Sequence, residues 1–274
     1  MRRVLVAFLV LGLASCGSLS DLRAIQGRGG DADKALEDGV RRLLDQPAIG
    51  FSYLSATSGS EFSVRMSGSL DLDSHAWVAH GQFTAFLAPA HDFELRSIGR
   101  LRWFDLAHRP GEPCWVAMYD GDDIPGLPAI DPDVPGFIAA LEHLHGADWQ
   151  VGADAWITAH LGLRDAARMS TSAHLAPSEL AATVPRGGKV AVTVTLEDGV
   201  LHEVVMSGRE LALALEAADA RIAEEELREL ESRDVRLTFG GPVQAVKRPD
   251  PSRVFDWVNR LPGCPAPEPE QASA

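Results

Sequence analysis

Cys16 is the residue of this chain whose setting most plainly names a reaction. It closes Leu13-Ala14-Ser15-Cys16, behind an apolar run from Val4 to Ala14 that is preceded by Arg2 and Arg3. Basic, apolar, small, then cysteine is the layout of an export signal cut just before a cysteine whose thiol then carries lipid. A bilayer-spanning helix needs roughly 20 apolar residues, and this run is well short of that. Residues 1–15 are therefore expected to be a signal peptide and 16–30 a glycine-containing lipidated tether. Residues 31–261 are expected to be the working domain, and 262–274 a disordered, Pro-rich tail. The expected place is the cell envelope, on the outer face of a bacterial membrane, held there by palmitate-type acyl groups. Each buried methylene contributes about 0.8 kcal/mol, and one chain alone holds only weakly.

With Cys16 given to lipid, Cys114 and Cys264 remain. In an exported protein, two cysteines are a candidate disulfide. It would pin the C-terminal segment to the strand around Trp115, and in the chain-entropy model a loop this long contributes on the order of 4 kcal/mol. Two unrelated thiols are the alternative.

Other chemistry is hard to assemble. The chain has no Gly-x-Ser-x-Gly elbow, no phosphate-cradling glycine loop and no His-Glu-x-x-His. His143 and His145 lie near Asp148, but residues two apart on a helix point to different faces, which makes a poor chelate. His75 with His80 is no better supported. Asp120-Gly121-Asp122-Asp123 lacks the length and closing glutamate of a calcium loop. No catalytic set, metal or cofactor is expected. A net charge of −14 repels nucleic acid and anionic headgroups, so no nucleic-acid partner is expected either.

Hydrophobic periodicity then gives the scaffold. Asp31 to Gln46 reads as a helix with Leu36, Val40, Leu43 and Leu44 on one face, capped by Asp31 or Asp33 and stopped by Pro47. From Gly50 to about Arg109 the period becomes two: Phe62, Val64 and Met66; Phe93 and Leu95; Leu101 and Trp103. Cys114 to Tyr119 is a further strand, Val134 to Leu144 an amphipathic helix, and Trp149 to His160 a strand. Pro177 to Thr183 is a short helix. Lys189 to Gly199 pairs with Leu201 to Met206 through the Asp198-Gly199 turn. Residues 209–232 read as helix, although their start could extend the preceding strand. Val235 to Phe239 is the last strand. The sum is an α+β fold: one large, curved antiparallel sheet, a half-barrel, with helices on its concave apolar face.

Large apolar side chains fill such a core. Some of them, Trp115, Phe137, Leu141 and Trp149, are candidates to line a ligand cavity.

Three stretches also carry a family pattern. Trp115-Val116 is followed by an Asp/Pro-rich loop and the helix Phe137 to Leu144. Val184-Pro185 precedes Val192-Thr193-Val194-Thr195-Leu196-Glu197-Asp198-Gly199. Val235 to Phe239 leads into Gly241-Pro242-Val243 and Pro249. In this order, over residues 50–250, the chain resembles bacterial envelope lipoproteins of the LppX/LprG/LprA/LprF type and the wider LolA/LolB-like fold. The resemblance implies a sheet wrapped round helices and an apolar cavity that binds lipid for transport within the envelope. It assigns no ligand residue. The insert at 209–232 departs from the strand–turn–strand expected there. The expected partner is an apolar, lipid-like ligand. The alternative is an envelope protein, bound by the same fold with a filled core and 209–232 as the docking element.

Overall fold

The computed structural model describes residues 29–57, 62–85, 90–105, 114–119, 133–150, 156–170, 177–185 and 187–256. Helix α1 (Gly29–Leu44) leads into five strands: β1 (Ala48–Thr57), β2 (Phe62–Asp71), β3 (Trp77–Ala85), β4 (His91–Ile98) and β5 (Leu101–Asp105). Next come β6 (Trp115–Tyr119), α2 (Val134–Leu141), β7 (His145–Gln150), β8 (Trp156–Gly162), α3 (Leu163–Arg168) and α4 (Pro177–Thr183). The chain continues through β9 (Lys189–Glu197), β10 (Val200–Met206), α5 (Gly208–Ala217), α6 (Glu224–Glu231), β11 (Arg233–Phe239) and β12 (Val254–Asp256).

All twelve strands join one open sheet in the order β12-β6-β5-β4-β3-β2-β1-β11-β10-β9-β8-β7. The fold class is as the periodicity predicts: α+β, built on a large antiparallel sheet. Its one departure is β12, which runs parallel to β6.

Three local expectations are corrected. Asp33 does not cap α1; its carboxylate accepts the Ala147 backbone N–H at 2.6 Å and ties the helix to β7. The strand expected over Trp149 to His160 is instead a pair, β7 and β8. The helix expected over 209–232 is two helices, and the residues between them hold Asp219 at a φ of 57°.

Strand parity decides what each face does, because opposed residues share a face. Phe51, Tyr53, Val64, Met66, Ala79, Phe93, Leu95 and Phe104 all fall on one side and are buried. The helices lie on that side. The main packing of α1 is on β7 and β10, that of α3 on β8 and β9, and that of α5 on β9 and β11.

The opposite face is crossed by the chain between β11 and β12. One cross-strand row runs Gly50–Ser69–Val78–Arg96–Trp103–Ala117. Residues 240–253 form a strap over that row. Gly240 donates its N–H to the Gly50 carbonyl at 2.9 Å. The Ser69 hydroxyl donates to the Gln244 carbonyl at 2.9 Å, and Arg96 donates to the Lys247 carbonyl at 3.0 Å. Gly50 has to be glycine for this approach, since a Cβ there would sit 2.8 Å from the Gly241 carbonyl oxygen. The strap explains why Ser69, Val78 and Trp103 are buried on the face away from the helices.

Candidate functional site

On the helix side of the sheet aromatic side chains gather in two places within one core. One is the contact between β1 and helix α2. Tyr53 stacks on Phe137 with ring centroids 5.2 Å apart, and Leu141 and Met169 are buried around them. The other is an aromatic wall on β3, β4 and β5. Phe83 lies 6.2 Å from Phe93, and Phe93 lies 6.0 Å from Phe104. Leu95, Val116 and Met118 continue this wall, and all three are buried. This wall belongs to the same buried core as Tyr53 and Phe137, and Phe93 and Phe104 are almost fully buried in it.

Arg233 is a buried cation on the same side, at the start of β11. It is ion-paired with Glu229. Burial pushes its guanidinium down to about 10, while the Coulombic influence of Tyr53 and Glu226 works in the opposite direction.

The four residues expected to line a cavity separate. Phe137 and Leu141 sit on α2 in that core. Trp149, on β7, packs half-buried against the same core, and its indole Nε1 has no hydrogen-bond partner among the described residues. Trp115 is set apart. It is registered opposite Asp105, on the strap side, with the Arg96 guanidinium 4.4 Å over its ring. The strap covers the second face of the sheet, so alternation alone could not tell which side Trp115 would take.

Cys114 is disulfide-bonded. Cys16, Cys264, the acidic turn at 120–123 and the tail at 262–274 lie outside the described residues. The histidines make local hydrogen bonds: His143 Nδ1 lies 3.0 Å from Asp165 Oδ2, and His145 Nδ1 lies 2.9 Å from the His143 carbonyl. Among the described residues no three His, Cys, Asp or Glu groups are placed to hold a metal ion. Among them, too, no helix is long and apolar enough to cross a membrane.

Sequence reasoning missed a groove on the strap side. It has a volume of about 470 Å³ and is formed where β11, β1, β2 and β3 lie side by side. Arg65 and Arg236 are both registered opposite Leu54, one from each side. Next to them runs a row of hydroxyls, Thr238–Ser52–Ser67, which ends at His80. Arg236 is held by Glu203 at 2.9 Å, whereas Arg65 has no ion-pair partner among the described residues. The groove combines strands far apart in sequence, so no local motif marks it.

No protein-family model and no curated protein matches the sequence. Among solved structures, the chain is similar to LprF from Mycobacterium bovis. The identity is 13%, the TM-score is 0.47, and the alignment covers 81% of this chain and 97% of that one.

Proposed function

We propose that this chain is an envelope lipoprotein, anchored through acylated Cys16, whose sheet shelters an apolar, lipid-like ligand for transport within the envelope. The observation that carries this reading is the continuous aromatic wall Phe83–Phe93–Phe104 on the apolar side of the open sheet, where Phe93 and Phe104 are buried. An acyl chain inserted against this wall would be held by burial of its own apolar area, at about 25 cal/mol per Å². No bond is made or broken. In this reading Cys114 pairs with Cys264, which leaves Cys16 free to carry lipid.

The test is binding of a fluorescent polyene fatty acid to the full chain. Saturable binding that is lost in Phe93→Asp and retained in Arg65→Gln supports the reading. No binding by the native chain would end it. For the anchor, Cys16→Ser should move the protein from the membrane fraction to the soluble one.

A second reading has its own support. Among the described residues Tyr53 and Phe137 stack closely and are buried, and Leu213 on α5 is half exposed. An envelope protein docking on 209–232 would use that surface. Pull-down of one partner that is lost on Leu213→Asp, with no lipid bound, would favour it.

A further inference from the structure

We infer that the groove on the strap side is a binding site for a phosphate group, presented either by a free phosphate ester or by a lipid headgroup. Its composition runs against the rest of the chain. The protein holds 39 acidic and 25 basic residues, yet the groove is lined by Arg65, Arg236 and His80, with carboxylates only at its rim, Glu203 against Arg236 and Glu94 against His80. Both arginines flank the same residue, Leu54. With one strand spacing on each side, their Cα atoms are about 10 Å apart, a distance two guanidinium arms can close around one anion.

Glu203 on the rim fixes Arg236 and uses part of its donor fork. Arg65, exposed and without an ion-pair partner among the described residues, keeps all of its donors. The hydroxyls of Ser52, Ser67 and Thr238 stand on the adjacent row. Two guanidinium groups and three hydroxyls offer more donors than the two oxygens of a carboxylate can use, and they suit the oxygens of a phosphate. Leu54, half-buried between the arginines, offers an apolar seat for the carbon next to the ester oxygen. His80 forms the wall: its two ring nitrogens face Gln244 of the strap at 3.3 Å and Glu94 at 3.5 Å. The strap thereby borders the groove.

The test is calorimetric titration of the full chain at low ionic strength with inorganic phosphate, glycerol 3-phosphate and soluble dihexanoyl phosphatidylglycerol. Saturable binding should weaken about tenfold or more in Arg65→Gln and in Arg236→Gln, as expected when one charge-assisted contact is lost. It should be unchanged in Arg221→Gln, an exposed arginine on another part of the surface. Near-UV spectra should confirm that each variant is folded. Equal affinity for glycerol 3-phosphate and the short lipid assigns the site to free esters, and much tighter binding of the lipid assigns it to a headgroup. Failure of all three probes, equal loss in Arg221→Gln, or binding of polyglutamate in place of every phosphate probe would overturn the inference. The site lies on the face away from the aromatic wall, so a chain that binds phosphate and no fatty acid keeps this inference and loses the lipid reading.

Discussion

Tyr53 and Phe137 join the sheet to its helices: their rings stack at 5.2 Å, and the Tyr53 hydroxyl donates to the Met169 carbonyl at 2.9 Å. One side chain of β1 thus grips α2 and the end of α3 together. Phe137→Ala should cost about 3–5 kcal/mol, because a buried ring is lost and a cavity is left behind. Tyr53→Phe keeps the ring and strands a buried carbonyl, which should cost about 1–3 kcal/mol. Urea unfolding of the two variants checks both values, and a Tyr53→Phe cost larger than that of Phe137→Ala would be inconsistent with this packing.

Arg233 is buried and paired with Glu229 at the junction of α6 and β11. Arg233→Met removes the cation that faces both Glu229 and the buried carboxylate Glu226. The expected loss is about 3–5 kcal/mol, as for other buried pairs broken on one side. Replacing both Arg233 and Glu229 with Met should recover only part of that loss, because Glu226 stays buried without the cation, and a double-mutant cycle reads the difference.

The strap depends on a missing side chain. In Gly50→Val, the new Cβ would meet the Gly241 carbonyl, and its methyls would press on Gly240. The sheet should survive while residues 240–253 detach. Limited trypsin digestion should then cut faster after Lys247 than in the native chain. Unchanged cleavage would mean that the strap is held elsewhere.

Acid should loosen the far end of the same strap. Hydrogen bonds from the Ser252 backbone and hydroxyl hold the Asp250 carboxyl below its ordinary value of 3.8. A depressed carboxyl stabilises the fold fully above that ordinary value, and the contribution is lost as the pH falls through the lower folded value. Amide exchange at Ser252, referenced to a strand amide such as that of Val194, should therefore rise selectively below about pH 4. Asp250→Ala should show the raised exchange already at neutral pH.

Much of this architecture was legible in the chain. The alternation through Phe62–Met66 and Phe93–Arg96 marks β2 and β4, and Asp198-Gly199 marks its hairpin, where both residues do have positive φ. What stayed hidden has physical causes. The alanine-rich run at 209–232 favours helix throughout, so composition does not reveal the break after Ala217. β7 is a short edge strand in His-Gly-Ala-Asp, with little alternation to detect. Trp115 and Trp103 read as core residues, and they are buried, but beneath the strap rather than beneath the helices. β12 pairs with a strand more than a hundred residues away, and the groove gathers Arg65 and Arg236 from opposite ends of the chain. Pairings at that separation leave no local pattern.

The most direct test of the lipid reading is mass spectrometry of the full chain, taken from membranes in mild detergent and measured under native and then denaturing conditions. Acyl groups on Cys16 should persist in both spectra. A second, non-covalent mass in the lipid range should be present in the native spectrum and vanish on denaturation. A native mass equal to the denatured one, in preparation after preparation, would contradict a sheltered ligand on the aromatic wall.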